Sequence, residues 1–236
     1  MTERLANILI SSLPRLLSAT IRLTIPLTIL SFLFGLVFAL FLAIVQVANI
    51  KVLKQFAQIY IWFFRGTPLL VQLFIIYFGM PSIGIVLPAF PAAIIAFGMN
   101  VAAYNAEAIR AAILAVPEGQ TEAAYLIGLT YPQMMVRVIL PQAFPIAFPS
   151  LFNNLISLFK DTSLASCITI VELMATAKQI IGRTYENFAL YMEAAIVYLF
   201  FSTILTWLQG ALEKRMAWET KDNMPKRRRT RLKAGI

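Results

Sequence analysis

From Gly66 to Ala106 the chain runs 41 residues without a charged side chain. A water-facing domain carries about a quarter of its residues as charges. A membrane-spanning helix needs roughly 20 mostly apolar residues, so this stretch is too long for one span. Met80-Pro81-Ser82-Ile83-Gly84 and Pro88 supply turn chemistry inside it, which divides it into parts of two spans. Gaps between charges map the others. The first span is Leu23 to Gln46, with Pro26 near its start where a missing N–H is tolerated. The second is Ile59–Phe64 plus Leu69–Met80, interrupted or bent at Arg65-Gly66-Thr67-Pro68. The third runs from about Phe90 to Leu114, the fourth from Val138 to Phe159 and the fifth from Ala194 to Leu212. The expected fold is all-α: a polytopic membrane protein of five transmembrane helices. A body over residues 1–213 is followed by a basic tail over 214–236.

Charge placement supports this. Of 20 Lys and Arg and 11 Asp and Glu, nine basic and two acidic residues lie from Lys214 onward. The body is nearly neutral and 60% of the whole chain is hydrophobic. A nucleic-acid binder spreads its basic groups over a folded face, so no nucleic acid is expected as partner; the membrane lipid is. By the positive-inside rule Lys214, Arg215 and Lys226-Arg227-Arg228-Arg229 stay cytoplasmic. Counting back through five spans puts the loop of about 117–137 inside and the N-terminus outside. One cysteine and no histidine exclude a disulfide framework, His-based metal binding, a serine-protease triad and a histidine relay. Arg4, Arg15 and Arg22 break up the first 22 residues, so no removable signal is expected. Cys167 is expected to be a small buried side chain.

The loop between spans three and four carries the most information. Pro117, Glu118 and Gly119 stop span three, and Gln120 or Thr121 can begin a short helix that its alanines favour. Gly128 permits close backbone approach, and Tyr131-Pro132 would end the element. A short helix of small residues with Leu126 and Leu129 is a poor structure alone but a good knob for a partner's groove.

Glu122-Ala123-Ala124, then Gly128, then Val138 and Leu140-Pro141 resembles the signature loop of prokaryotic ABC importer permeases, with Val138 standing where isoleucine is usual. That resemblance implies that Glu122, Ala123, Ala124, Gly128, Leu140 and Pro141 belong to a cytoplasmic coupling helix and its exit, seated in an ATPase subunit. Arg65-Gly66-Thr67-Pro68-Leu69, Tyr104–Glu107, Val116–Gln120 and Lys160–Leu164 resemble the polar-amino-acid uptake branch, and Thr24-Ile25-Pro26-Leu27-Thr28 looks most like its cystine permeases. The partners so implied are ABC ATPase subunits, a second permease subunit and an extracytoplasmic amino-acid-binding protein, in a bacterial inner membrane. No lysine follows the glycine-rich spacing of a phosphate-cradling loop. ATP and Mg are therefore expected on the partner ATPase, with no cofactor on this chain and no catalytic residue. Arginine, histidine, glutamine or glutamate are alternative solutes. An ion-gradient transporter is a rival, but the inverted repeat it would want is not evident.

Ionisable groups within spans are costly and point to function. On span four Asn153, Asn154, Ser157 and Asp161 fall at helical spacing, and Asp161 suits an α-ammonium group. On span three Asn100, Tyr104 and Glu107 share a face, with Arg110 placed to pair with Glu107. A structural role, bonding neighbouring helices, competes with solute contact for all of these. Arg65, Gly66, Thr67 and Pro68 read first as architecture of the broken span, with a solute carboxylate as a second reading for Arg65. Pro141, Pro145 and Pro149 suggest a helix able to bend.

Overall fold

The computed structural model describes residues 2–48 and 50–222, with side chains over 3–48 and 50–216. The Lys226–Arg229 cluster lies outside the described residues. Ten α-helices, joined by short π and 3-10 turns, make up the described chain. Helix α1 (Thr2–Ala19), a π turn (Thr20–Thr24) and α2 (Ile25–Val47) follow without a break. Helix α3 (Lys51–Gly66) meets α4 (Leu69–Phe74) at the Arg-Gly-Thr-Pro step, and the chain turns there by 107°. Then come α5 (Ala89–Leu114), α6 (Glu118–Leu126), α7 (Tyr131–Met134), α8 (Leu140–Asp161), α9 (Leu173–Thr184) and α10 (Asn187–Asp222). Four helices are long and apolar enough to cross a membrane, and the bent pair makes five. The expected count agrees.

Several boundaries move. The first helix starts near Thr2, not Leu23, and Glu3–Val47 forms one 45-residue helix. At 1.5 Å per residue that is about 67 Å, more than twice a bilayer's apolar thickness. Arg4, Arg15 and Arg22 interrupt hydropathy without interrupting helicity, because the backbone bonds close within the helix whatever the side chains. The α1 portion packs Leu16 against Leu173, Ala177, Ala194 and Val197 of α9 and α10. Tyr131-Pro132 opens a helix rather than ending one. Thr130 caps it through a reciprocal bond with Gln133, and Pro132 occupies the first turn where no N–H is needed. Span four therefore begins at Tyr131, ahead of Val138. Span five begins at Asn187, and α10 continues past residue 213, so the body–tail boundary there is one of charge, not a break in the helix.

The centre of the bundle is the crossing of α2 over α5. A Cβ on Gly35 would lie 2.6 Å from the Gly98 carbonyl, and one on Gly98 would lie 2.3 Å from Phe34 Cδ1. Ala39 and Ala43 on α2, and Ala102, Ala103 and Ala106 on α5, are buried in one core cluster. Small residues permit this approach where lipid offers helices no hydrophobic incentive to associate. One large core joins α2, α3, α5 and α8 and extends to Ala124 of α6.

Each π turn in the described chain lies just ahead of a proline. Thr20–Thr24 precedes Pro26, Ile75–Gly79 precedes Pro81, and Met135–Ile139 precedes Pro141. The residue before each proline bonds five residues back: Ile25 to Thr20, Met80 to Ile75, Leu140 to Met135. Proline supplies no N–H and crowds the carbonyl four residues earlier, and the wider turn relieves that crowding. Pro145 and Pro149 sit inside α8, which continues unbroken through both. The accommodation of the first proline is thus made before α8 begins.

Candidate functional site

The break in the second span leaves carbonyls at the end of α3 without helical partners. Side chains replace them. Thr67 Oγ1 donates to the Phe63 carbonyl at 2.8 Å. Gln72, buried on α4, donates through Nε2 to the Phe64 carbonyl at 2.9 Å, the Thr67 carbonyl at 3.1 Å and Thr67 Oγ1 at 2.8 Å. Asn100 of α5 then donates through Nδ2 to Gln72 Oε1 at 3.0 Å and to the Phe64 carbonyl at 3.3 Å. Gln72 was not singled out by its sequence context, where it is a lone amide in an apolar run. Its role depends on a bend that only the folded chain reveals.

This clamp forms one wall of a cavity of about 360 Å³. Thr67 and Pro68 come from the break, Asn100 and Tyr104 from α5, and Asn154, Ser157 and Asp161 from α8. Three separate segments thereby bring together most of the polar groups expected to line a pathway. Asn153 is not among them. It is exposed, about 100° round the helix from Asn154. Asn154 donates from Nδ2 to Asn105 Oδ1 at 2.8 Å. Asn105 is fully buried, and its own Nδ2 finds no acceptor among the described residues. Both amide hydrogens of Asn100 and one of Asn154 are engaged by protein oxygens, so the two amide carbonyl oxygens and the Asp161 carboxylate make the cavity richer in acceptors than in donors. Arg65 lies with its Cζ 5.4 Å from the centre of the Tyr104 ring, a cation–π contact at the cavity's edge.

Glu107 and Arg110 pair with each other, as their spacing suggests. Arg110 Nε lies 3.1 and 3.2 Å from the two carboxylate oxygens, and its Nη2 also donates to Glu107. They line a separate cleft of about 640 Å³ with Gln46, Lys54, Gln58 and Trp62. Glu193 accepts a bond from Ser12 of α1, and Tyr198 donates to Glu172 at 2.9 Å, so these act in packing. Glu172 is a residue missed in the sequence. Fully buried at the start of α9, it accepts from the Met174 and Ala175 N–H groups at 2.9 Å each. Burial pushes its carboxyl above the ordinary value, opposed by those bonds. Cys167 is exposed, contrary to expectation. In the 3-10 turn Thr162–Ile168, with three residues per turn, Thr162, Ala165 and Ile168 share the buried side and Cys167 does not.

The second feature is α6. Ala124 is its one buried residue, and it joins the core. Glu122 and Ala123 are exposed, as are Tyr125, Leu126 and Ile127 at 52%, 88% and 76%. Gly128 closes the helix. Its φ is +80, its N–H bonds the Tyr125 carbonyl at 2.9 Å, and the Leu129 N–H bonds the Ala124 carbonyl at 3.1 Å. This left-handed cap explains the glycine; among the described residues nothing beyond its chain neighbours lies within 4 Å of where its Cβ would stand, so close approach does not. Leu140 and Pro141 then open α8.

Residues 32–218 match a family described as the binding-protein-dependent transport system inner membrane component. The L-cystine transport system permease protein TcyB of Bacillus subtilis is 47% identical over 202 residues, which span 85% of this chain and 86% of that one. The arginine transport system permease protein ArtQ of the same organism is 35% identical over 82% of this chain and 89% of its own length. Among solved structures, an amino acid ABC transporter with histidines superimposes with a TM-score of 0.76 at 36% identity, covering 91% of this chain and 96% of that one. On the breadth of these matches, this chain belongs to the family of binding-protein-dependent transport system inner membrane components.

Proposed function

We propose that this chain is the permease subunit of an ATP-driven importer of a polar amino acid, with L-cystine the leading solute. The observation that carries the reading is the acceptor-rich cavity of about 360 Å³ between the broken span, α5 and α8. Asp161 would receive the α-ammonium group, with Ser157 and the carbonyl oxygens of Asn154 and Asn100 beside it. Tyr104 and Thr67 complete the wall. Two relatives named as L-cystine permeases, at 47% and 40% identity, favour cystine; those named for arginine and glutamine keep the alternatives in view.

Helix α6 would seat in a cleft of an ABC ATPase subunit, its exposed Tyr125–Ile127 face supplying the contact. ATP and Mg would reside there, and this chain would carry no hydrolytic step. Among the described residues no cluster of His, Cys, Asp and Glu suits a metal. A second permease subunit and an extracytoplasmic binding protein would complete the importer. The basic C-terminus would be cytoplasmic and the N-terminus outside. Closure of the ATPase pair would favour one of two access states over the other. The test is which amino acids stimulate ATP hydrolysis by the purified complex with its binding protein. Stimulation by L-cystine above arginine, histidine, glutamine and glutamate supports the assignment; stimulation by none of them refutes it.

A further inference from the structure

We propose that a second copy of this chain seats on the outward face of α8 and supplies the missing wall of the cavity that holds Asp161. The inference rests on the importer reading above and adds to it a surface, the identity of the second subunit and that subunit's part in the site. Ser150, Asn153, Ser157 and Lys160 follow one another at steps of three or four residues, so they form one stripe along α8. All four are exposed. None makes a side-chain hydrogen bond or ion pair among the described residues.

The stripe lies deep in the span. Asn100 and Asp161 line the same cavity, which sets them at one level. Asn100 is eleven residues from the start of α5 and fourteen from its end, about 16 and 21 Å along the axis. Lys160, next to Asp161, therefore stands near the middle of an apolar layer about 30 Å thick. A charged amine and a primary amide at that depth face protein or enclosed water, not lipid. Enclosed water needs a further wall to hold lipid away, and no described segment of this chain covers the stripe. The outer face of α10 gives the contrast. Its exposed Ile196, Leu199, Phe200, Ile204 and Trp207 are apolar, and Thr203 and Thr206 donate to the Leu199 and Ser202 carbonyls of their own helix. That face suits lipid; the α8 face does not.

The stripe is complementary to itself. A two-fold contact sets one surface against the same surface, and an amide both donates and accepts, so Asn153 can pair with its counterpart. Lys160 points about 100° away from Asp161 on its own helix, which leaves it free to approach the Asp161 of the second copy. It would bring a donor to a cavity richer in acceptors. Ser157 belongs to the stripe and to the cavity lining alike, so whatever covers the stripe also closes the cavity.

The test is cross-linking in membranes that hold this permease with its ATPase and no other permease. The native Cys167, the chain's only cysteine, is first replaced in Cys167→Ser. Copper phenanthroline oxidation should then join two permease chains through Asn153→Cys, and more weakly through Ser150→Cys and Lys160→Cys, but not through Leu199→Cys or Trp207→Cys on α10. Dimers through α10 alone, no dimer at any of these positions, or a complex that holds one permease chain overturns the proposal. Lys160→Leu tests the shared wall, since Lys160 does not line the cavity of its own chain. In the complex with its binding protein, it should raise the half-maximal concentration of whichever of L-cystine, L-arginine and L-glutamine stimulates ATP hydrolysis at least threefold, with the maximal rate within twofold of wild type. An unchanged concentration shows that the second copy forms no part of the site. The cross-link needs no solute, so a chain that dimerises through α8 but responds to no amino acid defeats the functional reading and not the surface.

Discussion

Gln72→Leu tests the clamp at the broken span. The substitution keeps an apolar side chain of similar bulk but removes the donor to the Phe64 and Thr67 carbonyls and to Thr67 Oγ1, and the acceptor for Asn100 Nδ2. The Phe64 carbonyl keeps its 3.3 Å bond from Asn100, so the Thr67 carbonyl and one hydrogen of the Asn100 amide are orphaned. Unsatisfied buried groups cost about 1–3 kcal/mol each in water-soluble proteins, and polar contacts inside membranes average nearer 0.6. Taking about 1 kcal/mol for each group gives about 2 kcal/mol, roughly a 30-fold shift in the population of the bent arrangement. Gln72→Glu keeps an acceptor for Asn100 but sets carboxylate oxygens against two carbonyls, so it should be at least as damaging. The assay pairs thermal unfolding of the purified complex with the solute concentration giving half-maximal ATPase stimulation. Both variants should unfold earlier and need more solute, by up to about 30-fold. Wild-type values for Gln72→Leu in both measurements would refute the clamp.

Three other outcomes follow from different parts of the fold. Leu126→Asp on the exposed face of α6 should leave permease stability within about 0.5 kcal/mol, as surface changes do, yet abolish co-purification with the ATPase; retained assembly and coupled hydrolysis would argue against α6 as the docking knob. Gly35→Val should destabilise by about 1–3 kcal/mol or more through overpacking, since even a Cβ would stand 2.6 Å from the Gly98 carbonyl, and fluorescence-detected gel filtration of heated samples would register it. Burial raises the Glu172 carboxyl, so the folded state holds that proton more tightly than the unfolded chain. The associated stability is full below the ordinary glutamate value of about 4.5 and is lost as pH rises through the raised value. Wild type should lose stability relative to Glu172→Gln as pH rises across that window; a difference that stays constant with pH would contradict the raised value.

The spans were legible because membrane crossing imposes long charge-free runs, and the Arg-Gly-Thr-Pro break was legible because it interrupts one. Asn100, Tyr104, Asn154, Ser157 and Asp161 could be found as polar groups at helical spacing on two spans. That they face one cavity across the bundle could not, since helix rotation is decided by packing, here by the Gly35–Gly98 crossing. Gln72 and Asn105 stayed hidden because a buried amide announces itself only through its partners. The helix before Leu23 was missed because its arginines lower hydropathy and hydropathy defined the span. Cys167 was misplaced because a turn of three residues, not 3.6, sets its side of the chain.

The most direct test of the account is uptake of L-cystine into proteoliposomes containing the full complex with its binding protein, comparing wild type with Asp161→Ala. The account predicts uptake that requires ATP and the binding protein, and loss of that uptake in Asp161→Ala while assembly with the ATPase is retained. Uptake driven by an ion gradient without ATP, or wild-type uptake by Asp161→Ala, would contradict it.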